Sequence, residues 1–276
     1  MRLMHLVKKP LIRKIHIHFA GVYNIYVRMI RKKIERDADV IIFSFPKSGR
    51  TWLRLIIAKY YSLVYGIPLS LEIFEMASRS KKVPKILFTH VIYTKKIKGK
   101  NILDIDRYKK NKLIFLVRDP RDIIVSYFFH VTKRRGSIEY GDMNSFAKKE
   151  FAGLINFINS FAPFVGGRVH LVRYEDLKKN TSQEVYRILA CLGEADPVLD
   201  KIDEAVNFCK FNNMRKMELE GQLDDDRLSP GCKGDVESYK VRRGIVGGYR
   251  DYLDDRVIMF MDECLKKLNK KFGYYD

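Results

Sequence analysis

The run "VIIFSFPKSGRTWLRLIIAKYY", residues 40–61, most constrains the fold: an apolar β-branched strand, a tight polar loop, then an amphipathic helix. Pro46 bounds the strand at 40–45. Thr51 opens the helix, Leu53, Ile56, Ile57, Tyr60 and Val64 recur at three-four spacing, and Gly66 with Pro68 ends it. The phosphate loop of nucleotide triphosphatases has the same setting, but its lysine follows the last glycine, as in G-x-x-x-x-G-K-[ST]. Here Lys47 precedes Gly49. The backbone N–H groups of Ser48 to Thr51 would face an anion from the first helical turn, with the Ser48 and Thr51 hydroxyls and the Lys47 charge beside them.

The same grammar recurs at residues 112–134, "KLIFLVRDPRDIIVSYFFHVTKR", where a strand at Leu113–Val117 leads to Asp119 as N-cap and Pro120 at the first helical position. A third strand is expected at 169–174. It precedes a helix with Thr181 and Glu184 as a capping box and Gly193 as its stop. "ILFTH", residues 86–90, supplies another strand. Alternating strands and helices predict an α/β, P-loop-like three-layer fold: a central parallel sheet flanked by helices, with ligands at the carboxyl ends of the strands. Residues 37–276 read as a single domain. Its stretch near 219–240, rich in Asp, Ser, Gly and Pro, predicts a long mobile loop able to act as a lid.

Charge narrows the partners. Lys and Arg number 53 against 33 Asp and Glu, a formal +20, which favours a polyanion, an anionic membrane surface or a highly phosphorylated ligand. Residues 1–36 carry ten of these cations and one acid, Glu35, and read as a basic amphipathic arm, either a peripheral contact for anionic lipid or a surface helix on the domain. Arg13, Lys14 and Arg28 interrupt every window long enough to span a bilayer. Cys191, Cys209, Cys232 and Cys264 lack metal or redox spacing, His16 and His18 have no nearby carboxylate or thiolate, and the expectation is a cytoplasmic protein without a metal site.

Three motifs together resemble one family. "FPKSGRTWL" is similar to the 5′-phosphosulfate loop of sulfotransferases that use 3′-phosphoadenosine 5′-phosphosulfate (PAPS). "LIFLVRDPRDIIVSYFFH" is similar to that family's 3′-phosphate motif, and "VRRGIVGGYRDYL", residues 241–253, to its third nucleotide element. The resemblance implies a PAPS-dependent sulfotransferase transferring a sulfuryl group to an acceptor hydroxyl on a glycan, glycolipid, alcohol or phenol. It implies that Lys47, Ser48, Gly49, Arg50 and Thr51 hold the phosphosulfate, and that Arg118, Ser126, Arg242, Arg243 and Gly244 hold the 3′-phosphate. Trp52, Phe211 and Tyr174 would surround the adenine. Lys47 would neutralise the leaving oxygen and His90 would remove the acceptor proton, with Ser126 beside them in the catalytic set; an activated donor of this kind demands no metal.

The sequence departs from the family pattern at Arg50, where a small hydroxyl residue is usual, at Cys209-Lys210, which replaces a polar pair, and at Tyr249-Arg250, where Asp-Trp is common. Two other readings compete. A P-loop kinase of a small molecule would need magnesium-dependent ATP turnover, and a non-catalytic binder of membrane or nucleic acid would follow from charge alone. Acceptor identity and oligomeric state stay open at this level.

Overall fold

A computed structural model describes residues 27, 29–137, 141–223 and 225–274. The chain forms strands β1 (Val40–Ser44), β2 (Ile86–Thr89), β3 (Thr94–Ile97), β4 (Lys100–Leu103), β5 (Lys112–Val117) and β6 (Val169–Arg173). The principal helices are α1 (Arg50–Tyr65), α2 (Ile73–Arg79), α3 (Pro120–Phe129), α4 (Met143–Asn159), α5 (Tyr174–Lys179), α6 (Thr181–Leu192), α7 (Leu199–Phe208), α8 (Phe211–Glu220) and α9 (Asp255–Leu265).

Strands β2, β1, β5 and β6 form, in that spatial order, a wholly parallel sheet. Side chains alternate across β1. Ile41 and Phe43 enter one fully buried cluster with residues of α3, α4 and α9, whereas Val40 and Ile42 enter the other with residues of α1, α6 and α7. A sheet covered on both faces needs such continuous apolar runs, which is why "VIIFS" and "LIFLV" have no polar alternation. From β1 the chain adds β2 on one side and β5 on the other. The loops after β1 and β5 therefore open side by side at the topological switch point, where α/β sheets bind ligands.

Asp119 caps α3 by accepting from the Arg121 amide at 2.9 Å, with Pro120 at the first position. The expected capping box at Thr181 and Glu184 does not form. Helix α5 ends only at Lys179, so Asn180 takes the N-cap without a side-chain bond, and Glu184 instead accepts from Arg187 at 2.6 Å. A hairpin of β3 and β4 was not anticipated; Lys98 and Gly99 turn it with positive φ of 47° and 77°.

Most of the basic arm, residues 1–26 and 28, lies outside the described residues. Its last turns, 29–37, are helical and packed on the body: Glu35 is buried and accepts from Arg31 at 3.0 Å and Arg107 at 2.9 Å. Among the described residues no helix is long and apolar enough to cross a membrane. The stretch near 219–240 begins inside α8 and carries 3₁₀ turns at Asp226–Leu228 and Val236–Ser238. Arg134 holds it by donating to the carbonyls of Ser229 and Ser238 at 2.9 and 2.7 Å.

Candidate active site

The loop from β1 to α1 turns on two left-handed residues, Lys47 at φ 75° and Gly49 at φ 95°. At Gly49 the ring of Tyr174 lies so close that a Cβ would sit 2.5 Å from its Cδ2, so only glycine fits. Gly49 is also the N-cap of α1 and has no side chain to satisfy the first-turn amides, which stay open to an anion. The helix begins at Arg50, one residue before the expected Thr51.

This loop forms one wall of a cleft of about 360 Å³. Lys47, Gly49, Arg50, Thr51, Trp52, His90, Arg118, Ser126, Tyr174, Phe211, Arg242, Arg243 and Gly244 all line it. Ser48 does not. Its hydroxyl is fully buried and donates to the Phe45 carbonyl at 3.0 Å, so it stiffens the loop and the hydroxyl expected from it is turned away from the cleft.

Parallel pairing of β1 and β2, with Phe43 opposite Thr89, sets His90 beside Ser44. The imidazole Nδ1 lies 2.7 Å from the Ser44 carbonyl oxygen. A carbonyl can only accept, so Nδ1 carries the proton and Nε2 is left with its lone pair. Burial, followed by the Arg50 charge, pushes the His90 pKa down to about 3, against a smaller upward pull from the Ser44 hydrogen bond. The ring is therefore neutral at physiological pH. Lys47 is likewise drawn well below the usual lysine range, first by burial and then by Lys240, Arg134, Arg242 and Arg118.

Arg118, at the end of β5, donates through Nη2 to the Ile245 carbonyl at 2.9 Å and lies 3.2 Å from Asp122. Its guanidinium covers the Tyr174 ring at 4.5 Å, and its buried Nε has no partner within the protein. Asp122 accepts from the amides of Gly247 and Tyr249 at 2.9 and 3.1 Å, which ties the glycine-rich segment to α3. Gly244, at φ 65°, passes so near Phe211 that a Cβ would meet the ring at 2.9 Å. Arg242 pairs with Glu237 and Tyr252 at 2.9 and 2.6 Å, and Arg243 with Asp251 at 2.6 Å. Trp52 meets Tyr174 edge-on at 5.7 Å between ring centres.

Among the lining residues that the sequence did not assign to the site, two carry titratable cationic groups against Lys47 or Arg50, His130 and Lys240. His130, in a π-helical turn after α3, has a buried Nδ1 without a partner, and burial, then Lys47, pushes its pKa down to about 3. Lys240 precedes the "VRRG" run, and burial, then Arg134 and Arg50, lowers it to about 8. The fully buried carboxylate of Glu218 fixes its backbone by accepting from the Lys240 and Val241 amides at 2.6 and 2.8 Å. The adjacency of Lys240 to Arg242 was the one available signal.

A cleft crowded with cations, whose Asp122 is already engaged, suits a ligand bearing several phosphate or sulfate groups. A sulfotransferase-domain family profile matches residues 37–273. The chain belongs to the sulfotransferase family, whose members transfer a sulfuryl group from PAPS. Among curated relatives, bovine sulfotransferase 1E1 is 27% identical over 241 residues, covering 74% of this chain and 78% of that protein. Cytosolic sulfotransferase 12 of Arabidopsis thaliana is 23% identical over 285 residues, covering 90% and 82%. The fold is similar to that of mouse sulfotransferase SULT7A1 crystallised with PAP, the 3′,5′-bisphosphate product, at a TM-score of 0.61 and 20% identity over 87% of this chain and 86% of that one.

Proposed function

We propose that this cleft transfers the sulfuryl group of PAPS to an acceptor hydroxyl by in-line displacement, with Lys47 and His90 as its central pair. The observation that carries the reading is the 2.7 Å contact between His90 Nδ1 and the Ser44 carbonyl, which makes Nδ1 the donor and leaves Nε2 as an unprotonated base in the wall that also holds Lys47. PAPS supplies an activated sulfur with a phosphate leaving group. Nε2 of His90 takes the acceptor proton as the new sulfur–oxygen bond forms and the bond to the phosphate oxygen breaks. Lys47 and the open amides of α1 receive the charge left on that oxygen.

Arg118, with its unpartnered Nε, and Ser126 on α3 hold the 3′-phosphate, joined by the segment at Arg242, Arg243 and Gly244. The adenine lies among Trp52, Tyr174 and Phe211. Four cysteines without disulfides fit a reducing, cytoplasmic setting. For the basic arm, residues 1–36, we propose a peripheral contact with anionic lipid, tested by flotation of the full chain with phosphatidylserine vesicles; a chain that stays free of them leaves the arm as a surface helix. Sulfate transfer from labelled PAPS to a panel of hydroxyl compounds tests the central reading; variants Lys47→Ala and His90→Ala should stay folded and lose it.

A further inference from the structure

Arg50 brings a cationic side chain to the wall of the cleft and, among the described residues, has no hydrogen-bond or ion-pair partner. The acids of the cleft and of its neighbour Arg227 are already engaged. Asp225 and Glu72 pair with Arg227, and Asp122 pairs with Arg118 and two backbone amides. Burial, followed by Arg227, lowers the Arg50 pKa to about 10, so it stays charged at neutral pH.

The direction of the side chain follows from the fold. Strands β1 and β2 are parallel, so α1, between them in sequence, runs back antiparallel to both. The guanidinium of Arg54 lies over the Phe88 ring at 4.5 Å. One helical turn toward the start of α1 rises about 6 Å, and two residues along β2 advance about 6–7 Å. Arg50 therefore stands over His90 as Arg54 stands over Phe88. The Arg50 charge is the largest electrostatic influence on His90, in agreement with that register.

We propose that Arg50 recognises the acceptor, in place of the phosphosulfate contact expected of it from the family resemblance: it receives a carboxylate or phosphate carried near the hydroxyl that His90 deprotonates, and the enzyme prefers anionic hydroxyl compounds to neutral ones. This rests on the sulfuryl-transfer reading above. A small hydroxyl residue at this position would bring no charge to that side of His90. Arg54, buried behind with an unpartnered Nε, cannot swing into the cleft to replace Arg50 while stacked on Phe88.

The test measures kcat/KM with saturating PAPS for matched acceptors, phenol against 3-hydroxybenzoate and methyl glucoside against its 6-phosphate. The two pairs separate carboxylate from phosphate. The wild type should favour at least one anionic member by about tenfold or more, and Arg50→Gln should bring that ratio close to one while Arg50→Lys retains part of it. A wild type without preference, or an Arg50→Gln variant with an unchanged ratio, overturns the proposal. PAP titration of both proteins separates the two levels. PAP binding without anion preference overturns this inference alone, whereas no PAP binding in the wild type overturns the sulfuryl-transfer reading and this inference with it.

Discussion

The imidazole Nδ1 of His90 lies 2.7 Å from the carbonyl oxygen of Ser44, the last residue of β1. One backbone acceptor thereby sets the tautomer of the base, and the strand that carries the Lys47 loop also aims the histidine. Replacing His90 with Gln should lower kcat by about 10²–10⁴-fold, the range of a general base. PAP affinity should change little, because the proposed role of His90 is toward the acceptor and not the nucleotide. Single-turnover transfer and PAP titration on the same variant check both halves; a fully active variant would remove His90 from the mechanism.

In the proposed mechanism Lys47 acts on the other side of the transferred group. Lys47→Met should cost about 10²–10³-fold in kcat, comparable to losing one preorganised donor at a developing charge. Arg118→Ala should instead weaken PAP binding, by about tenfold or more, since it would remove the charge-assisted contact proposed for the 3′-phosphate. Equal effects of the two variants on binding and on turnover would contradict this division of labour.

Gly49→Ala tests the loop as a structure. The left-handed backbone alone costs of order 1–3 kcal/mol, and the added methyl would overlap the Tyr174 ring. Thermal unfolding should fall by several degrees, and PAP affinity with it. A variant as stable as the wild type would show that Tyr174 can leave Gly49 freely.

The loop was legible because every determinant of it is local: an apolar strand, Pro46, a glycine that must turn left, and a three-four helical stripe. The parallel sheet followed from repetition of that unit. Long-range facts were not legible. Nothing near Ser48 signals that its hydroxyl turns back to Phe45, and nothing near His130 signals that a π-helical turn carries its ring to Lys47. Thr181 and Glu184 have the spelling of a capping box, yet the preceding helix claims the cap position for Asn180. The β3–β4 hairpin escaped because "TKKIKGKNIL" is polar and exposed, without the alternation that marks a half-buried strand.

Two cleft histidines make stability depend on pH. His90 and His130 titrate near 3 when folded, and near 6.5 when unfolded. Below about pH 6.5 the unfolded chain takes up protons that the folded one refuses, so stability present above that pH is lost as it falls toward 3. Denaturant unfolding between pH 7 and 5 should show this loss, and His130→Gln should reduce its slope. A stability flat over that range would contradict the burial of both rings.

Lys240 gives the opposite limb in ligand binding. Its pKa of about 8 in the free protein rises when an anion enters, so binding favours the protonated lysine. PAP affinity should weaken as pH rises above about 8, and Lys240→Met should bind more weakly with a flatter profile. An unchanged profile in that variant would place Lys240 away from the phosphates of the bound PAP.

Calorimetric titration of the wild-type protein with PAP, without added metal, tests the central claim most directly. Saturable one-to-one binding is expected, weakened by Arg118→Ala and not reproduced by ATP with magnesium. A wild-type protein that binds no PAP, or that turns over magnesium ATP instead, would contradict it.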